Sequence, residues 1–454
     1  MTDFLNFNFD KRILKALDLL NFSQATSVQS KVIPKALAGS DLLVSSKTGT
    51  GKTASFLLPI IQRCLLDDKP NSTTRALILV PTRELALQIQ KVSNALCKFC
   101  HLKTGLVIGG EAFKHQVASV RRNPEIIVAT PGRLVEHLEK KTIDFHDLEF
   151  LILDEADLML QMGFAEDMHT IIKSCRPERQ ILLFSATLKH AAIRSLRAEL
   201  NKPQSVVEDD VVHSMERIQQ HRVLVDDDKH REAVLVEFLS SSEEGQAIVF
   251  CNTRKQVQKL SNILQSKKIR SAYLHGELSQ SDRKQILHRF RRGDSRVLVA
   301  SDVAARGIDI LEVKYVINFS TPHSGDEYLH RIGRTGRSDK KGSAITFVSE
   351  REWDLMSSIE RYLKVRLSTL IVKGFKANYS GPKKLKKSGK AASTKKRKDS
   401  SKKMSANKSK NPANKTSSKM NKSTTKKSQS PKITVDKSIA VSEKGGWAPL
   451  KKKR

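Results

Sequence analysis

The sequence predicts an α/β protein of two tandem parallel-sheet domains followed by a disordered basic tail. Three observations predict it. Short apolar runs rich in Val, Ile and Leu recur through residue 375, with helix-length amphipathic segments between them. The rhythm breaks at a polar stretch near 205–216 and then resumes. Past 375 the composition turns to Lys, Ser, Thr, Asn and Ala. Continuous apolar strands separated by helix-length segments belong to parallel sheets covered on both faces. At 454 residues the chain is also too long for one ordinary domain.

In chain order the first block holds LLVSS (42–46), ALILV (76–80), IIVAT (126–130), FLILD (150–154) and ILLFS (181–185). The second holds AIVFC (247–251), VLVAS (297–301), YVINF (315–319) and AITFV (344–348). Open parallel sheets bind ligands at the carboxyl ends of their strands, and the motifs fall there.

Residues 376–454 carry 26 Lys and Arg against three acids, so this stretch supplies +23 of the chain's net +33. Its only aromatics are Tyr379 and Trp447, too few to offset chain entropy, and disorder is expected. A block of that sign suits a polyanion, above all nucleic acid. No run approaches the roughly 18 apolar residues of a membrane span. The start, MTDFLNFNFDKR, lacks the basic-then-apolar order of a signal peptide. Five scattered cysteines fit a reducing compartment. Cys97 and Cys100 have CxxC spacing, but with no second pair or His cluster they read as two thiols in a helix.

The first chemical motif is SKTGTGKT, Ser46 to Thr53, between a strand and ASFLLPIIQRCLL, a helix pattern. A Gly-rich strand-to-helix turn aims backbone N–H groups and the helix dipole at phosphates. Gly49 and Gly51 permit the close backbone approach, Lys52 reaches the terminal phosphates, and Thr53 can hold Mg²⁺. The second is LILDEAD (151–157), three carboxylates in four positions after a buried strand. Side by side they repel and lose hydration, unless Mg²⁺ and a triphosphate stand opposite them. Asp154 is then the metal-side acid, and Glu155 orients and deprotonates the attacking water.

With these motifs, residues 4–373 resemble a DEAD-box ATP-dependent RNA helicase, motif by motif and in the family's order. The resemblance implies two RecA-like domains with ATP and Mg²⁺ as cofactors. It places Ser46, Lys47, Thr48, Gly49, Thr50, Gly51, Lys52 and Thr53 on the nucleotide. Phe22 would stack on adenine and Gln29 would read its edge, with Phe4 at the upstream aromatic position. Arg83 of PTRELALQ, Gly110, Thr130 and Arg133 of TPGR, Gln280, Arg283 and Ser301 match RNA-side positions, as does VFCNTR (249–254). Asp309 matches a ribose contact, and Arg334 and Arg337 of HRIGRTGR match arginine fingers. Ser185, Thr187, Asp157 and His330 match positions that couple ATP state to RNA grip.

The family pattern is varied at Asn21, Ala25 and Ser27, where Gly, Pro and Pro are more usual, and at Ser46, Leu158 and Ser301. None of these removes a catalytic group. The expected division is 1–207, an ATP-binding domain with the adenine segment at its start; 217–375, the C-terminal RecA-like domain; and 376–454, a disordered Lys-rich RNA-binding tail. The expected activity is ATP hydrolysis coupled to unwinding of short RNA duplexes or remodelling of ribonucleoprotein. An ATP-gated RNA clamp and an RNA-annealing chaperone are the alternatives. PHSGDEYLHRIGRTGR followed by a basic tail resembles bacterial helicases of large ribosomal subunit assembly. That implies ribosomal RNA or pre-ribosomal particles, and ribosomal proteins, as partners in a bacterial cytoplasm without a membrane. KKRK (395–398) and KKKR (451–454) leave a eukaryotic nucleolar setting open.

Overall fold

Each apolar run forms a strand, and the strands assemble into two seven-stranded parallel sheets. The computed structural model describes residues 2–46, 50–67, 69, 72–185, 188, 193–207, 217–305, 313–336, 341–382, 384–386 and 389–391. A two-residue antiparallel ladder, β1 (Thr2–Asp3) with β2 (Gln24–Ala25), precedes the sheets. The first sheet contains β3 (Leu42–Ser45), β4 (Ala76–Leu79), β5 (Thr104–Val107), β6 (Ile126–Ala129), β7 (Phe150–Leu153), β8 (Gln180–Ser185) and β9 (Gln204–Val207). Its order is β5-β6-β4-β7-β8-β3-β9. The second contains β10 (Ile218–Leu224), β11 (Ala247–Cys251), β12 (Ser271–Leu274), β13 (Val297–Ser301), β14 (Tyr315–Asn318), β15 (Gly342–Val348) and β16 (Ser368–Thr369). Its order, β12-β13-β11-β14-β15-β10-β16, repeats the first sheet's strand for strand.

The pleat explains the cores. In lobe 1, Val44, Ile78, Val128, Ile152 and Leu182 face one helical layer. Leu43, Leu77, Ile127, Leu151 and Leu183 face the other. Strands β4, β6 and β7 are buried along their whole length, as continuous apolar runs require. The strands that no such run announces (β5, β9, β10, β12 and β16) lie at or beside a sheet edge. One side of an edge strand meets solvent, so its sequence is mixed.

All five cysteines are free and buried. Burial pushes the thiols of Cys64, Cys97 and Cys175 up to about 12, and Cys251 also upward. Cys97 and Cys100 lie at and beyond the end of helix Arg83–Leu96 rather than within it. Among the described residues no group of His, Cys, Asp and Glu is placed to hold a metal by itself. No described helix is long and apolar enough to cross a membrane.

Past Phe375 the chain continues as a strap along lobe 2. Asp226 accepts the backbone N–H groups of Asn378 (2.9 Å) and Tyr379 (2.8 Å). Trp353 Nε1 and Ser357 Oγ both donate to the Gly389 carbonyl, at 3.1 and 3.0 Å. The Ala391 N–H donates to Asp354 at 2.7 Å. The boundary expected at 376 therefore falls before a segment tied down by backbone hydrogen bonds, which composition does not reveal. Residues 392–454 lie outside the described residues, and the expected disorder there with them.

Candidate active site

Strand β3 delivers the chain to the phosphate loop, and helix Lys52–Leu66 leaves it. Gly51 sits at φ +90°. A Cβ there would come within 2.5 Å of Gln29 Nε2, so conformation and space both demand glycine. The loop is braced from the adenine segment. Thr26 Oγ1 donates to the Thr50 carbonyl at 2.8 Å, and Gln29 Nε2 donates to the Gly51 carbonyl at 3.0 Å. Gln29 Oε1 accepts the Thr26 N–H at 2.9 Å, half of a capping box on helix Ser27–Leu37. Each amide atom of Gln29 keeps one further hydrogen-bonding capacity for a base. Ser46 and Thr50 join hydroxyls at 2.6 Å. Phe22 is 41 % exposed, an aromatic face left outside the core. Asn21 explains one departure from the family: its φ is +56°, a conformation Asn tolerates next best to Gly. Ser27 opens its helix, where Pro is favoured but not required. Phe4, by contrast, is buried in the lobe 1 core.

Strand β7 ends at the acidic cluster. Asp154 and Asp157 are buried and Glu155 is half-buried. Lys52 Nζ lies 3.6 Å from Asp154 Oδ1. The same oxygen accepts the Glu155 N–H at 3.0 Å, so Oδ2 is spent on neither contact. Burial alone would lower the Lys52 pKa, but Asp154, Glu155 and Asp157 outweigh it and hold the ammonium above its ordinary value. Burial pushes the Glu155 carboxyl up, and Asp154 and Asp157 add to this against the pull of Lys52 and of Arg334. A carboxylate raised in this way beside a phosphate loop is suited to proton abstraction. Glu155 also sits at φ +51°, a backbone conformation that costs about 1 kcal/mol or more outside glycine. Thr53 is the second residue of the loop's helix. Its hydroxyl and the Asp154 carboxylate are hard oxygen donors of the kind Mg²⁺ prefers, so the residues present fit that ion.

Arg334 comes from lobe 2, just past helix Gly325–Ile332, and is buried. Three residues earlier, Arg331 is turned inward. Its guanidinium donates to Asp302 (2.6 Å twice), Glu327 (2.6 Å), Asn252 Oδ1 (2.9 Å) and the Ser320 carbonyl (2.6 Å). It thereby ties the segments after β11, β13 and β14 to the finger helix. Neither Arg331 nor Asp302 was singled out by the sequence, although Glu327 and Arg331 have helical i, i+4 spacing.

The expected RNA-side residues converge. Arg83, Thr130, Arg133, Gln280 and Arg283 line one cavity of about 330 Å³ drawn from both lobes. The Arg83 guanidinium covers Gly109 and Gly110, and a Cβ on Gly110 (φ +80°) would collide with its Nη1. Thr130 precedes helix Pro131–Glu139 and its side chain caps nothing there. Arg133 Nη1 donates to the Glu111 carbonyl at 3.0 Å. Arg283 also pairs with Glu84 of lobe 1 at 2.9 Å, a partner the sequence had not suggested. Ser185 is buried at the end of β8, while Ser301 and His330 are half-buried. Leu158, where Arg is common, is buried. Lys47, Thr48, Gly49, Thr187, Asp309 and Arg337 lie outside the described residues.

A braced phosphate loop, an acidic cluster behind it and an arginine from a second sheet define a nucleoside-triphosphate-hydrolysing α/β protein with a basic cleft between its lobes. The DEAD/DEAH box helicase model matches residues 26–196, and the helicase conserved C-terminal domain matches 229–339. The ATP-dependent RNA helicase SrmB of Haemophilus influenzae is 40% identical over 387 residues, covering 84% of this chain and 88% of that protein. SrmB of Escherichia coli is 41% identical over 374 residues, covering 82% and 84%. Among solved structures, S. cerevisiae Dbp5 bound to RNA and ADP BeF3 superposes with a TM-score of 0.73 at 27% identity, covering 82% of this chain and 96% of that one. Mss116p bound to ssRNA and AMP-PNP gives 0.71 at 29%, covering 81% and 78%. The chain belongs to the DEAD-box family of ATP-dependent RNA helicases, which are RNA-stimulated ATPases. Neither an ATP-gated RNA clamp nor an RNA-annealing chaperone is favoured by that membership.

Proposed function

We propose that ATP binds on the loop 46–53, with Phe22 on its base, Gln29 at the base edge and Asp309 at the ribose. Lys52 meets the terminal phosphates, and Thr53 and Asp154 hold Mg²⁺, which neutralises phosphate charge when bound. Glu155 takes the proton of the attacking water. Arg334 and Arg337 stabilise the charge that develops on the transferring phosphoryl group. The observation that carries this reading is geometric: Lys52 Nζ lies 3.6 Å from Asp154 Oδ1 beside the glycine loop in lobe 1, and lobe 2 supplies the buried Arg334 near enough to pull on the Glu155 carboxyl. A site divided between lobes hydrolyses ATP only when they close. Closure also shapes the cleft of Arg83, Gly110, Thr130, Arg133, Gln280, Arg283 and Ser301 around an RNA strand. Ser185, Thr187, Asp157 and His330 link the two events.

We further propose the domain division 1–207 and 217–375. Residues 376–454 are a tether for RNA whose first part, to Ala391, rides on lobe 2. Large ribosomal subunit assembly in a bacterial cytoplasm, with ribosomal RNA and ribosomal proteins as partners, is the reading supported by the SrmB relatives. Crosslinking in cells followed by sequencing of bound RNA tests it, and transcripts without ribosomal RNA would overturn it. The chemistry is tested by Glu155→Gln. ATP and RNA binding should persist, and multiple-turnover hydrolysis should fall by roughly 10²–10⁴. Hydrolysis near the wild-type rate would mean that Glu155 is not the base.

A further inference from the structure

Beneath the cleft lies a buried polar pair that the mechanism does not use. Gln116, on helix Phe113–Val120, is 3 % exposed, and His137, on helix Pro131–Glu139, is not exposed at all. Gln116 Nε2 donates to the Ile108 carbonyl at 2.6 Å. Its Oε1 faces His137 Nε2 at 3.3 Å. The carbonyl can only accept, so the amide orientation is determined, and Oε1 must receive a proton from His137 Nε2. His137 Nδ1 is then unprotonated and shares the Thr142 hydroxyl proton, at 2.8 Å, with the His137 carbonyl at 3.1 Å. Burial first, then Arg133 and Lys140 against Glu136, hold the imidazole below its ordinary pKa, in keeping with this neutral tautomer.

We propose that Gln116 and His137 are positioning residues for RNA: together they pin the Gly109–Gly110 loop to the helix that carries Arg133. The proposal rests on the cleft being the RNA site. Ile108 immediately precedes Gly109, and Glu111 immediately follows Gly110. The loop is thus tied to helix Pro131–Glu139 at both ends, at Ile108 through Gln116 and His137, and at Glu111 through Arg133. Phe113 stacks on His137 with centroids 4.3 Å apart, and the Lys140 ammonium lies 4.1 Å from the same ring's centroid. Two consecutive glycines have wide conformational freedom, and their backbone is the platform under the Arg83 guanidinium. A core needs no amide or imidazole at these positions to fill space, and a buried polar network costs stability unless every member is satisfied. What the network adds is a fixed height for the loop and hence for Arg83.

The test compares Gln116→Leu, His137→Leu, His137→Gln and Arg83→Ala in RNA-stimulated ATPase, with melting temperature and binding of a fluorescent ATP analogue as companions. Gln116→Leu and His137→Leu should raise the KM for RNA about tenfold, which corresponds to ~1.4 kcal/mol, the size of one hydrogen bond. RNA-saturated kcat and analogue binding should stay unchanged. His137→Gln, whose Nε2 can still donate to Gln116, should recover most of the loss. If Gln116→Leu does not fold, Gln116→Met keeps the length and flexibility of the side chain without its donor or acceptor and should raise KM likewise. A wild-type KM in the Gln116 and His137 variants, with a raised KM in Arg83→Ala, overturns this inference alone. A wild-type KM in Arg83→Ala as well overturns the cleft reading beneath it. Parallel loss of kcat and analogue binding, or no recovery in His137→Gln, assigns the pair to folding and overturns the proposal.

Discussion

Lobes 1 and 2 share one strand order, yet their first loops do opposite things. Strands β3 and β10 occupy the same place, one strand in from an edge. After β3 come Gly-rich residues and Lys52. After β10 come Val225, Asp226, Asp227 and Asp228, with no glycine. Asp227 caps its own helix through the His230 N–H at 2.8 Å, and Asp226 accepts the strap. The loops after the second strands kept their equivalence. Thr82 caps the helix after β4 and Thr253 the helix after β11, each from 3.3 Å. Strand order therefore does not make a nucleotide site; the loop residues do. In the proposed mechanism lobe 2 serves the chemistry by what it sends across.

That comparison is most strongly tested by Arg334 and Arg331, three residues apart. In the proposed mechanism Arg334 acts outside its lobe, so Arg334→Ala should cut RNA-saturated kcat by roughly 10³ or more. Melting temperature and nucleotide-free RNA affinity should hold. Equal losses in hydrolysis and RNA binding would make Arg334 a structural or RNA-binding arginine.

Arg331 acts inside its lobe, where Asp302 and Glu327 depend on it. Arg331→Met should destabilise lobe 2 by about 3–5 kcal/mol, since the buried Glu327 and the half-buried Asp302 lose their cation. Chemical denaturation followed by Trp353 fluorescence would show it. Full stability with lost hydrolysis would exchange the roles assigned to these two arginines.

The sequence displayed the central strands and the nucleotide motifs because both are local. A continuous apolar run is visible in five residues, and Ser46–Thr53 in eight. Edge strands were hidden because β12 and β16 carry mixed side chains toward solvent. Thr26 was legible in principle, since T-S-V-Q has the capping-box spacing, but its bond to Thr50 spans the fold. Glu84 was invisible for a stronger reason. Its partner, Arg283, lies in the other lobe, and no spacing rule joins residues so far apart. The strap was hidden because it is held through its own backbone N–H and C=O groups, which nearly every residue carries.

The Glu84–Arg283 pair offers a smaller effect. Both side chains are nearly buried, at 12 % and 13 % exposure, so the ion pair is shielded from solvent. Charge reversal at either end should lower RNA-stimulated ATPase, and the double exchange Glu84→Arg with Arg283→Glu should recover part of it. A coupling of about 0.5–3 kcal/mol is the range for neighbouring, interacting residues. Strict additivity across the cycle would mean that the pair does not help to hold the lobes together.

The smallest expected effect on catalysis belongs to the C-terminal segment, and two truncations separate its parts. Residues 392–454 carry 20 of its 26 Lys and Arg, so ending the chain at Ala391 removes most of the charge and leaves the strap. Lysines that meet phosphate carry little base information. The KM for RNA should rise, and the slope of log K against log salt should flatten by about 0.7 for each single-strand phosphate that the shortened chain no longer neutralises. RNA-saturated kcat should hold, because every motif lies upstream. Ending at Phe375 should change RNA binding only slightly further, yet lower the melting temperature of lobe 2. Asp226, Asp354, Trp353 and Ser357 would each be deprived of a hydrogen-bond partner, and such bonds are worth about 0.5–1.5 kcal/mol net. Identical salt slopes for the full chain and the 391 truncation would remove the tether. Identical melting of the 375 and 391 truncations would make the strap a passenger, and lobe 2 complete without it.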